Sequence, residues 1–200
     1  IVDECHHVGA ASFDAILKRV KAKFVLGLTA TPIRRDGQQP IIFMQCGPIR
    51  HVAAKATGAP SDLEVRPLLR HERIDLPSES GIQEVFRHLA NDSDRTRVVA
   101  AGIRAALMEG RKILVLTERT EHLAAIEAAL NGTVASLFVL HGRMSKKQRA
   151  GLIEEIDALP PDAPRILLAT GKLVGEGFDH PPLDTLVLAM PISWKGTLAQ

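Results

Sequence analysis

The sequence predicts an α/β protein whose parallel sheets carry helices on both faces. In its second half, near-continuous apolar runs of strand length alternate with amphipathic helical stripes, a pattern typical of parallel strands buried on both sides. The predicted strands are 112–117, 135–140, 165–170 and 183–190. The helical stripes are 99–107, 123–130 and 152–159. Ligands of such sheets bind beyond the carboxyl ends of the strands, so we expect the functional residues there.

The first sixty residues carry a shorter form of the same pattern. Residues 1–4 are typical of the end of a buried strand. The apolar spacing over 13–20 predicts a helix with Ser12 as its N-cap. The apolar run 24–28 predicts a central strand that ends at Thr29-Ala30-Thr31-Pro32.

A polar segment rich in Gly and Pro, 57–62, predicts a boundary between two domains. The domains would be 1–60, with 8 basic and 4 acidic residues, and 61–200, with 17 basic and 19 acidic residues. The overall net charge of +2 is therefore the sum of +4 on the first domain and −2 on the second.

Composition excludes several classes of protein. A balance of +2 excludes a histone-like basic tail and an acidic disordered chain. No apolar run approaches the ~20 residues that cross a bilayer, and no secretory leader is recognisable, so we expect a cytoplasmic protein without a membrane partner. Cys5 and Cys46 lie far apart in the sequence, which indicates a reducing compartment. The scarcity of aromatic residues (six Phe, one Trp, no Tyr) argues mildly against binding by base stacking.

Two adjacent carboxylates, Asp3 and Glu4, lie where the first predicted strand ends. In P-loop nucleotide hydrolases an Asp at this position holds Mg²⁺ and its waters, and a neighbouring Glu can deprotonate the attacking water. An isolated Asp-Glu pair is far more often a strand followed by a polar turn. We exclude zinc, because Asp3, Cys5, His6 and His7 are too close in sequence to converge on one tetrahedral ion.

Two hydroxyl residues, Thr29 and Thr31, end the next predicted strand. They are placed to hydrogen-bond the carboxylate cluster, through His6, and to relay its state. The alternative is an ST-type turn before Pro32.

Together, Asp3-Glu4-Cys5-His6 and Thr29-Ala30-Thr31 resemble the second and third motifs of superfamily-2 helicases of the DEAD/DEAH type, in the branch related to restriction-enzyme translocases. The resemblance implies RecA-like sheets, with the last part of a first domain and most of a second, and Mg-ATP bound between them. It implies Asp3 for Mg²⁺ through water and Glu4 as the base. It implies that Thr29 and Thr31 couple hydrolysis to strand movement, and we count His6 with these catalytic residues as the link to the carboxylates.

Two further segments of the second domain resemble motifs of the same family. Arg119, at a predicted helix start, is similar to the fourth motif and implies a phosphate contact; an ordinary solvated helix start is equally plausible. The glycine-rich segment after Thr170 resembles the fifth motif, and glycines allow close approach to a ligand. The resemblance implies Thr170 for the nucleic-acid backbone, and Gly177 and Asp179 for the nucleotide. Gly171 stands where DEAD-box proteins carry Asp, which favours DNA over RNA.

A basic turn follows the strand that ends at Leu140. Ser145 and Gln148 fit a capping box, which predicts a helix start. Four cations crowd this turn without an acid among them: Arg143, Lys146, Lys147 and Arg149. Like charges at a positive helix end repel each other, so the turn indicates a bound phosphate backbone. The resemblance implies nucleic acid; a solvated basic face is the alternative.

Two parts of the family's machinery are not found. No G-x-x-x-x-G-K-[ST] occurs, and the motif that supplies the arginine finger would begin at Gln200. We therefore expect the middle of an ATP-dependent DNA helicase or translocase, inactive as this chain alone, with Trp194 packed rather than stacked on a base. The alternatives are a non-catalytic nucleic-acid-binding or protein-binding module, and the translocating subunit of a restriction or defence nuclease with a nuclease partner.

Overall fold

The computed structural model describes residues 1–32, 37–54, 64–69, 76–77, 79–132, 136–170 and 180–191. The described residues form two compact units, one within Ile1–Pro67 and one within Leu68–Ser193. The segment 57–62 lies outside the described residues, so the division into 1–60 and 61–200 stays a prediction. In the described part of the chain, no helix has both the length and the apolar character needed to cross a membrane.

The first unit is organised around a short parallel contact between two extended segments. The Val2 amide donates to the Leu26 carbonyl at 2.7 Å, and the Leu28 amide donates to the Val2 carbonyl at 2.9 Å. The helices of this unit are a 3-10 helix (Cys5–Gly9), α1 (Ala11–Leu17) and α2 (Gln39–Cys46). The core between them is formed by Cys5, Val8 and Ile42.

Two expectations for this unit are wrong. The segment 24–28 is not a buried central strand: it forms one bridge, and Phe24 is 81% exposed. The reason is that, among the described residues, only the 2–5 segment hydrogen-bonds its backbone. Ser12 is not the N-cap of α1, because the extended residue is Ala10 (φ −81°, ψ 137°) and the helix begins directly after it.

The second unit alternates helices and strands. Its helices are α3 (Ile82–Asn91), α4 (Ser93–Met108), α5 (Thr120–Leu130) and α6 (Lys146–Asp157). Its strands are β1 (Lys112–Thr117), β2 (Leu137–Leu140), β3 (Arg165–Thr170) and β4 (Thr185–Leu188).

The four strands form one parallel sheet in the order β2-β3-β1-β4. Thr117 at the end of β1 is level with Thr170 at the end of β3. Leu140 at the end of β2 is level with Ala169. The carboxyl ends of these three strands therefore meet at one edge of the sheet.

Helices pack against both faces of this sheet, which confirms the predicted α/β class. On one face, α4 and α5 cover the fully buried Ile113, Val115, Ile166 and Leu168. On the other face, α6 packs through Ile156 against Leu140 and Leu167. Alternate side chains of each strand point to opposite faces, so a strand enclosed on both sides must be apolar throughout, as β3 is from Ile166 to Ala169.

Candidate functional site

The Asp3-Glu4 pair lies on a strained turn directly after the Val2 bridge. Glu4 has φ 47° and ψ 46°, and it is the one residue other than glycine with a positive φ in the described part of the chain. Its amide donates to Asp3 Oδ1 at 2.9 Å. A left-handed conformation costs about 1–2 kcal/mol for a residue with a Cβ, and such strain tends to persist at functional sites. The turn therefore holds two adjacent carboxylates in a fixed arrangement.

His6 connects this turn to the end of the 24–28 segment. The His6 side chain is buried, and its Nδ1 lies 2.9 Å from Thr29 Oγ1 and 3.1 Å from Glu4 Oε2. Thr29 Oγ1 also accepts a hydrogen bond from the Thr31 amide at 3.1 Å. The contact expected between His6 and Thr29 is thus present, and it joins Glu4 to the Thr29–Thr31 backbone. The coupling role of these residues stays a prediction.

The surroundings of the Asp3 carboxylate are suited to Mg²⁺ rather than to a metal ion that takes all of its ligands from the protein. Asp3 is exposed, and in the described part of the chain no hydrogen bond engages its second oxygen, Oδ2. The described residues also contain no group of three or more His, Cys, Asp or Glu side chains that could hold a metal ion. Mg²⁺ keeps several of its waters and is bound through one or two carboxylates together with substrate phosphates. A single accessible Asp is consistent with this way of binding Mg²⁺.

A thiol contact that the sequence analysis missed lies beside this turn. A Cβ placed on Gly27 would lie 3.0 Å from both Cys5 Sγ and Cys46 Sγ. The two cysteines are therefore neighbours in the fold, although they are distant in the sequence. Gly27 is the sequence signal of this contact, since a Cβ there would lie 2.9 Å from Cys46 Cβ and would require its neighbours to shift.

In the second unit, Arg119 is already engaged by a neighbouring helix. Its Nη2 donates to the Gln83 carbonyl at 3.1 Å and to Gln83 Oε1 at 3.0 Å. Its Nη1 lies 3.5 Å from Glu121 Oε1, and 21% of the side chain is exposed. A phosphate contact by Arg119 would have to replace these interactions, and it stays a prediction.

Beneath Arg119 lies a buried pair that the sequence analysis did not single out. His122 is fully buried, and its Nδ1 lies 3.0 Å from Thr117 Oγ1. Burial, and to a lesser extent the charge of Arg95, lowers the pKa of His122 to about 4. Thr117 is level with Thr170 at the end of the neighbouring strand.

The basic turn forms the helix start that the sequence predicts. Ser145 Oγ accepts from the Gln148 amide at 3.2 Å, and Gln148 Oε1 accepts from the Ser145 amide at 2.9 Å, which completes the capping box. Three of the predicted cations are exposed: Arg143, Lys146 and Lys147. In the described part of the chain, no ion pair engages any of the three. Unpaired cations at a helix N-terminus favour an anion there.

The structure brings Thr170 and the basic turn to the same edge of the sheet, because β2 and β3 are parallel neighbours. This edge is the one at which the sequence predicts ligands. The other residues assigned to the fifth motif and beyond lie outside the described residues: Gly171, Gly177, Asp179 and Trp194.

Comparison with known proteins yields matches at both ends of the chain. Residues 1–34 match the family model described as "Type III restriction enzyme, res subunit". Residues 96–196, half of the chain, match the model "Helicase conserved C-terminal domain". The fold is also similar to that of T4 UvsW, with a TM-score of 0.50 and 16% sequence identity, over 61% of this chain and 25% of that one.

Two curated proteins are similar over nearly the whole chain. The "Putative ATP-dependent RNA helicase L396" of Acanthamoeba polyphaga mimivirus is 25% identical over 96% of this chain and 37% of its own length. The "Probable helicase D10" of Escherichia phage T5 is 25% identical over 100% of this chain and 43% of its own length. This chain thus spans less than half the length of these relatives. It belongs to the helicase conserved C-terminal domain family, within the superfamily-2 helicases.

Proposed function

We propose that this chain is part of the motor of an ATP-dependent helicase or translocase that moves along nucleic acid, with DNA as the favoured substrate. The observation that carries the proposal is the contact of one His6 nitrogen with both Glu4 and Thr29. The two curated relatives support it, since both are named as helicases. The protein would act in the cytoplasm with ATP and Mg²⁺.

Hydrolysis would depend on the strained turn. The Glu4 carboxylate accepts the proton of the attacking water, a role that requires hydrogen-bond distance to that water. Asp3 would hold the hydrated metal through its exposed oxygen. Mg²⁺, when bound, neutralises charge on the phosphate oxygens. His6 Nδ1 lies 3.1 Å from Glu4 Oε2 and 2.9 Å from Thr29 Oγ1, so a shift of Glu4 would change the surroundings of the nitrogen that contacts Thr29.

The nucleic acid would contact the carboxyl edge of the sheet in the second unit. Exposed Arg143, Lys146 and Lys147 bind successive phosphates, and Thr170 hydrogen-bonds the backbone. Such contacts do not require base stacking, which agrees with the small number of aromatic residues. We assign Arg119 to the same surface, and Gly177 and Asp179 to the nucleotide, by resemblance to the family.

Binding measurements test the interface. In the protein expressed from its complete reading frame, Lys146→Gln/Lys147→Gln should weaken DNA binding and reduce the slope of log K against log salt by about one per residue. Arg111→Gln is the matched control, because Arg111 directly precedes β1 and lies at the opposite, amino edge of the same sheet. Equal affinities for the double variant and the control would contradict the proposed interface. Tighter binding of RNA than of DNA would reverse the choice of substrate.

A second candidate is the translocating subunit of a restriction or defence nuclease. It is favoured by the match of residues 1–34 to the type III restriction model. Co-purification of a nuclease subunit with the complete protein, and cleavage of DNA only with ATP, would support it. A purely binding module, without hydrolysis, is the outcome if DNA binds and ATP turnover is absent.

A further inference from the structure

Cys5 and Cys46 converge on Gly27 in the first unit. Each Sγ lies 3.0 Å from the position that a Cβ on Gly27 would occupy, so the two sulfurs are at most 3.0 plus 3.0, or about 6 Å, apart. The Cβ of Cys46 lies 2.9 Å from the same position, so this side chain as a whole faces Gly27 and Cys5. Both cysteines are free, so a bond between them is available to the fold but not formed. A disulfide needs side chains that approach in this way.

The two thiols differ in their access to solvent. Cys5 is 4% exposed and begins the 3-10 helix, whereas Cys46 is partly exposed and ends α2. A small oxidant in solution therefore reaches Cys46 first, and Cys5 is the neighbouring thiol that can react with the oxidised Cys46. Burial raises the pKa of both thiols, so their reaction is slower than that of an activated cysteine.

We propose that Cys5 and Cys46 are an oxidation site that closes to an intramolecular disulfide in the presence of hydrogen peroxide. The Cys46 sulfur attacks the peroxide O–O bond and becomes a sulfenic acid, and one water leaves. The Cys5 sulfur then displaces hydroxide from the sulfenic acid, which leaves as a second water with the Cys5 proton. The two thiols lose two electrons in total, and the peroxide gains them. A dithiol reductant reverses the change by thiol–disulfide exchange.

The bond would tie the catalytic turn to α2. Cys5 adjoins Glu4 in the chain, and its amide donates to the Leu28 carbonyl at 2.9 Å. A disulfide from Cys5 to Cys46 therefore restrains the turn from which Glu4 and His6 reach Thr29. This consequence rests on the proposed function: oxidation should cause a loss of ATP hydrolysis that dithiothreitol restores.

Peptide mapping of the protein expressed from its complete reading frame tests the site. The protein is treated with excess peroxide until the reaction stops, alkylated and digested without reduction. We expect a peptide pair linked through Cys5 and Cys46, lost after dithiothreitol and absent from Cys46→Ser. Because Cys46 is partly exposed, Cys46→Ser should retain the fold, and circular dichroism checks this. Two alkylated thiols after peroxide, or a Cys46 sulfinic acid without a linked pair, would overturn the proposal.

An ATP turnover assay on the same samples tests the consequence. Loss of turnover in the oxidised wild type, with recovery on reduction and no loss in Cys46→Ser, is the expected result. Unchanged turnover in a fully linked sample would overturn the regulatory consequence while leaving the oxidation site intact. Absence of turnover in the reduced protein would instead overturn the proposed function, and the peptide map would still report on the disulfide.

Discussion

His6 Nδ1 lies 2.9 Å from the Thr29 hydroxyl. The same nitrogen lies 3.1 Å from Glu4 Oε2. One atom of the His6 ring therefore contacts both the carboxylate proposed to activate water and Thr29, which directly follows the 24–28 segment. A movement of either side chain changes the surroundings of this nitrogen, which in a neutral imidazole serves as donor or acceptor but not both. We propose that this link couples hydrolysis to movement.

Removal of the Thr29 hydroxyl should break this link without removing the Glu4 carboxylate. In Thr29→Val we expect basal ATP hydrolysis to persist while its stimulation by DNA is largely lost. Thr31→Val is the companion variant: it retains the backbone amide that donates to Thr29 Oγ1, so it tests whether the Thr31 hydroxyl has a coupling role of its own. Turnover is measured with and without DNA, and stimulation of Thr29→Val equal to that of the wild type would argue against a role for the Thr29 hydroxyl.

The buried His122 should make stability depend on pH. The folded chain lowers the pKa of His122 from 6.5 to about 4, so between these values the unfolded chain binds a proton that the folded chain does not. The free energy of unfolding therefore falls as the pH falls from 6.5 towards 4, by up to ~3 kcal/mol at 1.36 kcal/mol per pKa unit. Above pH 6.5 the residue is neutral in both states and contributes nothing to the pH dependence.

Urea unfolding between pH 4 and pH 7 measures this effect. His122→Asn retains a polar group near Thr117 and cannot titrate, so its stability should fall less steeply over the same window. The difference between the two curves isolates His122 from the carboxylates that titrate in both proteins. If the stability of the wild type and of His122→Asn changed equally with pH, the folded chain would bind a proton at His122 as readily as the unfolded chain does.

The buried Arg165 should contribute strongly to stability. It is 1% exposed, and it donates to the carbonyls of Ile156, Pro160 and Ala163. It also donates to His180 Nε2 at 3.1 Å, which leaves Nδ1 of a neutral His180 to donate to Asp157. Loss of this side chain leaves several of these acceptors without a donor, at about 1–3 kcal/mol for each one that water cannot reach.

We therefore expect Arg165→Leu to lower the free energy of unfolding by at least ~3 kcal/mol. Arg97→Leu is the control, because the ion pair between Arg97 and Asp94 is exposed and should contribute no more than ~1 kcal/mol. Denaturant unfolding of both variants provides the comparison. A similar small loss in both would mean that water satisfies the carbonyls near Arg165.

The regular parts of the fold could be predicted from the sequence. Strands 112–117 and 165–170 have the predicted bounds, because a strand enclosed by helices has to be apolar and its polar neighbours mark its ends. The capping box at Ser145 could be predicted equally well, since it depends on residues three positions apart. The strand predicted at 183–190 is shorter in the structure, Thr185–Leu188, because only four of its residues pair with β1.

Contacts between distant segments could not be predicted in this way. The apolar run 24–28 has the composition of a strand, but strand formation depends on a neighbour, and only residues 2–5 hydrogen-bond it among those described. The meeting of Cys5 and Cys46 depends on how α2 packs on the 3-10 helix, which no local pattern records. The burial of His122 likewise arises from packing between helices and the sheet.

The most direct test of whether Glu4 activates water for ATP hydrolysis, as we propose, is ATP turnover by the complete protein and its Glu4→Gln variant with saturating DNA and Mg²⁺. General-base catalysis contributes roughly 10²–10⁴-fold, so we predict a loss of turnover of at least ~100-fold, with DNA binding retained. Glu4→Gln turnover within a fewfold of wild type would contradict the account.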